Sequence, residues 1–300
     1  MEIGAYIEAN RGRLEAWGKM VAEEISANHA KLLKMQPSIR VKDVESAREK
    51  QVRKGYGDPT REMTDLVGVR FIVLTTDHLE PIRSHLSQSG YWKCTQTRNP
   101  DIEAANDPSS FSYQSHHYEL RSKEESDDAL CCEVQVRTLL QHTIAELSHD
   151  AFYKATQAAP SQAQRLVARS IALMETTDEL LCSAMKAVEE AQAPALALRR
   201  EIMDSASFIG TGGDDLVNEL LCAYQNAIDA DSKASFKQML SENSFIAERI
   251  QSRTDGIFSY PAAALLSYWI ASRLKRKAPR SWPFPGSTRD LELILSDLGE

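Results

Sequence analysis

The sequence predicts an α+β protein: a mixed β-sheet with helices on its faces, followed by an all-helical C-terminal region. Two runs of branched residues, at 67–74 and 130–137, alternate as half-buried strands do, and a helical pattern lies between them. After Thr138 the strand signals stop and helical periodicity takes over. Strands mixed with helices in one part and helices alone in the other imply two layers of differing character.

The elements follow in order. Residues 5–33 space Ile7, Leu14, Trp17, Val21, Ile25 and Leu32 at helical intervals ahead of Pro37, which predicts one long amphipathic helix. A second helix over 43–54 should stop at Gly55, a residue suited to a left-handed cap. The segment 67–74 is the clearest strand, and a helix over 78–88 follows it. Three further strands are expected at 91–98, 113–121 and 130–137, joined by polar linkers at 99–110 and 122–128. Helices are expected over 139–154 and 162–191, with shorter ones beyond Leu196. Pro194 should break a helix, placing a boundary between a domain at 1–191 and a helical domain at 192–300. Gly210-Thr-Gly-Gly213 marks a second break, residues 257–270 form an apolar stripe typical of a core helix, and a short helix at 289–298 closes the chain.

Composition narrows the function. With 42% hydrophobic and 26% charged residues the chain is globular, and no apolar run reaches the length of a membrane span. Glu2, Glu8, Arg11 and Arg13 stand where a signal peptide would be apolar, so the cytoplasm is the expected location. The five cysteines include the adjacent Cys131 and Cys132 but no CxxC pair, which predicts reduced thiols and neither a disulfide framework nor a zinc ribbon. A formal charge of −8 argues against general nucleic-acid binding.

The chemistry concentrates in three places. On the strand Glu133-Val-Gln-Val-Arg-Thr138, Glu133, Gln135 and Arg137 share one face while the valines point to a core. Lys42, Ser46 and Lys50 are spaced by four and would stack along a helix about 6 Å apart, a match for a polyphosphate chain. Asp65 sits at the entry of the 67–74 strand, and Gly68 permits close approach there. Two carboxylates on different strands beside a basic helix suit a nucleoside triphosphate with Mg2+, which takes one or two protein carboxylates and fills its other positions with phosphate and water. The chain therefore reads as a phosphoryl-type transferase.

Taken together, Arg40-x-Lys42-x3-Ser46-x3-Lys50, Asp65-x2-Gly68-x-Arg70 and Glu133 to Thr138, continuing through His149, Tyr153 and Lys154, resemble the synthetase domain of the RelA/SpoT alarmone synthetases. The resemblance spans residues 40–154. It implies a ferredoxin-like or nucleotidyltransferase-like mixed sheet and transfer of pyrophosphate from ATP to a ribose 3′-hydroxyl. Carried onto this sequence, it implies that Arg40 and Arg70 sandwich the adenine and that Lys42, Ser46 and Lys50 hold the phosphates. Asp65 and Glu133 would bind Mg2+, with Glu133 also the general base. Gln135, Arg137, Tyr113 and His117 would serve the acceptor.

The acceptor motif departs from the guanosine-specific pattern. The expected lysine, asparagine and glycine are missing from Ser109-Ser-Phe-Ser-Tyr113-Gln-Ser-His-His117. GDP or GTP remains the first acceptor. The alternative is a toxin-like enzyme acting on the 3′ end of tRNA, for which the cations Arg273, Lys275, Arg276, Lys277 and Arg280 speak and the acidic linkers at 101–107 and 124–128 do not. An inactive nucleotide-sensing module is a third reading, and retention of both acids and the ATP-side cations argues against it. Homo-oligomerisation, or regulation by the C-terminal helices acting on the same chain, is the expected partner behaviour.

Overall fold

A computed structural model describes residues 2–107, 115–123, 130–148 and 160–300. The chain divides into two compact units, 1–184 and 185–300, with the division falling inside one long helix.

The first unit opens on α1 (Ile3–His29), whose Ile3, Ile7, Leu14, Val21 and Ile25 are buried at the spacing that the sequence shows. Next come β1 (Ser38–Val41), α2 (Val44–Lys54), the single turn α3 (Pro59–Glu62), β2 (Val67–Val73), α4 (Leu79–Gln88), β3 (Trp92–Arg98) and α5 (Pro100–Asn106). Then follow β4 (His116–Ser122), β5 (Cys131–Thr138) and α6 (Leu139–Ser148). Gly55 caps α2 in the left-handed conformation, φ 68°, as its sequence position predicts.

The five strands stand in the order β1-β2-β5-β4-β3. β2 and β5 are parallel, and every other neighbouring pair is antiparallel, so the sheet is mixed as expected. Its apolar face, with Val67, Val69, Phe71, Val134, Val136, Tyr118 and Leu120, packs in one core cluster with residues of α1 and α4. The register leaves the other face polar: Arg40 pairs with Gly68, Gly68 with Glu133, Arg70 with Gln135, and His117 with Gln135.

Besides the single turn α3, two elements were not expected from the sequence. β1 is a four-residue edge strand with three exposed residues, too short and too wet to show alternation. α5 hides in the polar linker after Arg98, started by the Asn99 side chain, which accepts from the Asp101 N–H at 3.1 Å, and by Pro100 in the first turn. At the end of β5 the chain turns straight into α6 through a reciprocal cap. Gln141 N–H donates to Thr138 Oγ1 (3.1 Å), and Thr138 N–H donates to Gln141 Oε1 (2.9 Å). The 139–154 helix is seen to Ser148, and His149, Tyr153 and Lys154 lie outside the described residues.

The expected helix break at 191–194 needs correction. α7 (Ser161–Ala206) runs through Pro194 as one helix. Proline removes one hydrogen bond, to the carbonyl of residue 190, and exposed Glu190 leaves that carbonyl open to water.

The second unit centres on α11 (Pro261–Leu274), buried at every position from Pro261 to Ala271, as the 257–270 stripe predicts. Around it pack α8 (Asp214–Ala223), α9 (Ser232–Glu242), α10 (Phe245–Ser252) and the closing α12 (Thr288–Asp297). Arg253 clamps Asp297 with bonds of 2.6 and 2.9 Å. Gly210–Gly213 is a helix–helix connection, and among the described residues no strand follows Thr138. Nor is any described helix long and apolar enough to cross a membrane.

Candidate active site

The polar sheet face and the start of α2 enclose a cleft of about 510 Å³, lined by Ser38, Arg40, Lys42, Ser46, Asp65, Gly68, Arg70, Glu133, Gln135 and Glu146 among others. Of the eleven residues singled out from the sequence, seven line its wall, namely Arg40, Lys42, Ser46, Asp65, Arg70, Glu133 and Gln135, and Lys50 joins them through Asp65. His117 reaches it through Glu133. Arg137 lies beneath, and Tyr113 is outside the described residues.

Asp65 lies two residues before the start of β2 and receives both ammonium groups on one oxygen. Lys42 Nζ lies 2.7 Å and Lys50 Nζ 2.8 Å from its Oδ2. Burial pushes the Asp65 carboxyl up, but the hydrogen bonds and charges of the two lysines outweigh it and hold the group below the usual carboxylate range. Its other oxygen, Oδ1, is buried without a hydrogen-bond partner. The four-residue stack of Lys42, Ser46 and Lys50 is modified in one respect: Lys42 precedes α2, where Asp43 is the N-cap. Lys42 instead enters from the end of β1, its N–H bonded to the Leu66 carbonyl at 2.8 Å, so that two elements converge on Asp65.

Glu133 is held from both sides. Gln135 Nε2 donates to its Oε2 at 2.8 Å, and His117 Nδ1 lies 3.5 Å from its Oε1. Burial raises this carboxyl, the bonds from His117 and Gln135 lower it, and the second effect wins even though the charge of Asp65 adds to the first. Both acids line the same cleft, Glu133 from β5 and Asp65 from the entry of β2.

Arg137 is only 3% exposed. It bonds Ser115 Oγ through Nε at 3.0 Å and the Gln135 side-chain oxygen Oε1 through Nη2, so it reaches the cleft through Gln135 instead of directly. A guanidinium only donates, so the Gln135 oxygen must face Arg137 and its NH2 must face Glu133. Burial, with Arg70 nearby, pushes Arg137 down to about 9.

The sequence reading missed Ser38 and Glu146. Arg70 Nη1 donates to Glu146 Oε1 at 2.6 Å, a contact across 76 residues of chain. The only local sign of Glu146 was its position four residues after His142 on α6, which shows a helix face and no partner.

Three carboxylates, two lysines and two arginines thus surround one cleft. Residues 39–158 match the region found in RelA / SpoT proteins, so the first unit holds a RelA/SpoT-family synthetase domain. Among solved structures the chain is similar to small alarmone synthetase 1 from Bacillus subtilis, at 19% identity over 62% of this chain and 97% of that one, with a TM-score of 0.51. It is also similar to a GTP pyrophosphokinase family protein from Streptococcus pneumoniae, at 20% identity over 63% and 95%, with a TM-score of 0.52. At these identities the likeness shows a shared fold. No curated protein matches the sequence.

Proposed function

We propose that the protein is an ATP-dependent pyrophosphotransferase that moves the β,γ-diphosphate of ATP to the 3′-hydroxyl of GDP or GTP. The observation that carries this reading is the pairing of a lysine-bracketed Asp65 with a Glu133 locked by Gln135 and His117 in one cleft. Among the described residues no group of three or more His, Cys, Asp or Glu is placed to hold a metal by itself. The unpartnered buried Oδ1 of Asp65 nevertheless fits a cation brought in by the nucleotide, which needs only one or two protein carboxylates. Asp65 and Glu133 would hold Mg2+, which when bound supplies neutralisation of the phosphate oxygens.

In this reading Arg40 and Arg70, both on the cleft wall, hold the adenine by their planar guanidinium groups. Lys42, Ser46 and Lys50 hold the phosphates. The acceptor oxygen attacks the β-phosphorus as its proton passes to Glu133, the bond from that phosphorus to the α,β-bridging oxygen breaks, and AMP leaves. Gln135 and Arg137 set which way the Glu133 carboxylate faces.

A second acceptor is favoured by one observation: in the second unit Arg273, Lys275, Arg276 and Lys277 line a cleft, with Arg280 exposed nearby. These cations suit RNA, and the same transfer would then modify the 3′ end of tRNA. Incubating the protein and Mg2+ with γ-labelled ATP and, separately, GDP, GTP, adenosine nucleotides or deacylated tRNA decides between them. Label on GDP or GTP supports the proposal, label on tRNA alone selects the second acceptor, and no label on any acceptor overturns the transferase reading.

A further inference from the structure

Ser115, immediately before β4, is fully buried, and its Oγ accepts from Arg137 Nε at 3.0 Å. It belongs to the stretch 109–117 that carries the acceptor motif and stands two residues after Tyr113. From Ser115 a line of hydrogen bonds runs to Glu133. Arg137 Nη2 donates to Gln135 Oε1, and Gln135 Nε2 donates to Glu133 Oε2 at 2.8 Å. His117, two residues beyond Ser115, places its Nδ1 3.5 Å from the other oxygen of the same carboxylate. Both oxygens of Glu133 are therefore tied to one short segment, Oε1 directly by His117 and Oε2 from Ser115 by way of Arg137 and Gln135.

The direction of each bond makes the line depend on its first member. A side-chain amide presents an acceptor and a donor in nearly the same shape, so Gln135 can turn over about its last torsion. Arg137 only donates, and so it selects the orientation in which the Gln135 NH2 faces Glu133. Ser115 in turn holds the Nε edge of Arg137. With Arg137 only 3% exposed, loss of the Ser115 hydroxyl would strand that N–H away from water, and the guanidinium would shift towards another acceptor. Gln135 would then be free to bring its oxygen against the Glu133 carboxylate, where two acceptors repel.

We propose that Ser115 is a positioning residue which, through Arg137 and Gln135, sets the direction in which the Glu133 carboxylate faces, and so couples the base to the segment that carries the acceptor motif. This rests on the transferase reading, in which Glu133 takes the proton of the acceptor hydroxyl. Ser115 does not line the nucleotide cleft, so its influence falls on the transfer step and leaves ATP binding alone.

The test combines spectroscopy with kinetics on the full chain, with circular dichroism as the check on folding. In protein labelled with 15N on arginine and glutamine, spectra of Arg137→Lys and Gln135→Ala assign the two side chains. The wild-type Arg137 Nε–H should be protected from exchange with water. In Ser115→Ala that protection should be lost and the Gln135 NH2 pair should move. The same variant should lower kcat about tenfold with KM for ATP unchanged. Adding Ser115→Ala to Gln135→Ala should lower kcat no further, because both changes cut one line. A freely exchanging Arg137 Nε–H in the wild type, Gln135 signals that stay in place in Ser115→Ala, or losses that multiply in the double variant would each overturn the proposal. A wild type that labels no acceptor would remove the transferase reading instead, and the spectra would still decide whether Ser115 sets Gln135.

Discussion

Arg70 on β2 donates to the Glu146 carboxylate on α6 at 2.6 Å, which ties an expected nucleotide contact to the helix that follows β5. Both side chains are partly exposed, 32% and 50%, so the pair adds little to stability. Its effect is to fix the plane of the Arg70 guanidinium, which in the proposed reading holds the adenine. Glu146→Ala should therefore raise KM for ATP about threefold to tenfold with kcat little changed. Initial-rate kinetics beside a thermal melt will check this, and an unchanged KM would separate Glu146 from ATP binding.

Glu133→Gln keeps the size and hydrogen-bonding reach of the side chain while removing the proton acceptor. Transfer should fall by a factor of about 10² to 10⁴, the range for a general base, with the melt unchanged. Normal turnover in this variant would refute the role given to Glu133.

Asp65→Asn leaves Lys42 and Lys50 facing each other without a countercharge. A cost of about 1–3 kcal/mol in chemical denaturation is expected, since a mostly buried charged contact is broken, together with loss of transfer. Equal stability would mean that the two ammonium groups simply swing into solvent.

Gly68 forms the floor of the cleft. A methyl there would approach only the Glu133 carbonyl oxygen, at 3.8 Å, so packing does not demand glycine. Gly68→Val should melt near the wild type yet weaken ATP binding by roughly tenfold through lost space, as calorimetric titration would show. Unaltered affinity would place the nucleotide elsewhere.

Asp178 is 2% exposed, accepts from Thr138 Oγ1 at 2.8 Å, and keeps Oδ1 without a partner. Burial raises its carboxyl above the ordinary value, and the Thr138 bond only partly offsets this. A raised acid contributes stability that is complete below its unfolded pKa and lost as pH rises through the folded one. Asp178→Asn should thus stabilise the protein by about 1 kcal/mol at neutral pH, with the gain shrinking towards acid. Melts at several pH values will show whether the gain has that slope.

Much of the site was legible because motif spacing and strand parity are local properties. The alternation in Glu133-Val-Gln-Val-Arg put Glu133 and Gln135 on one face, and Gly55 announced the end of α2, since side-chain parity and left-handed capping depend on neighbouring residues alone. The brief edge strand β1 and the helix α5 were not legible, because pairing with β2 and capping by Asn99 decide them more than periodicity does. Pro194 misled for a related reason: the rule concerns one lost hydrogen bond, and a long helix with water at hand tolerates it.

The sequence by itself determined the α+β class, most of the residues that line the cleft and the helical character of the described residues after Thr138, which follow from composition, periodicity, motif spacing and the family resemblance. Only the tertiary structure decided who touches whom. It brought Lys42 and Lys50 onto one oxygen of Asp65, took Arg137 under Gln135 and set Glu146 on Arg70. Those contacts join residues far apart in the chain, and their energies depend on sheet order, register and burial, which no local pattern encodes.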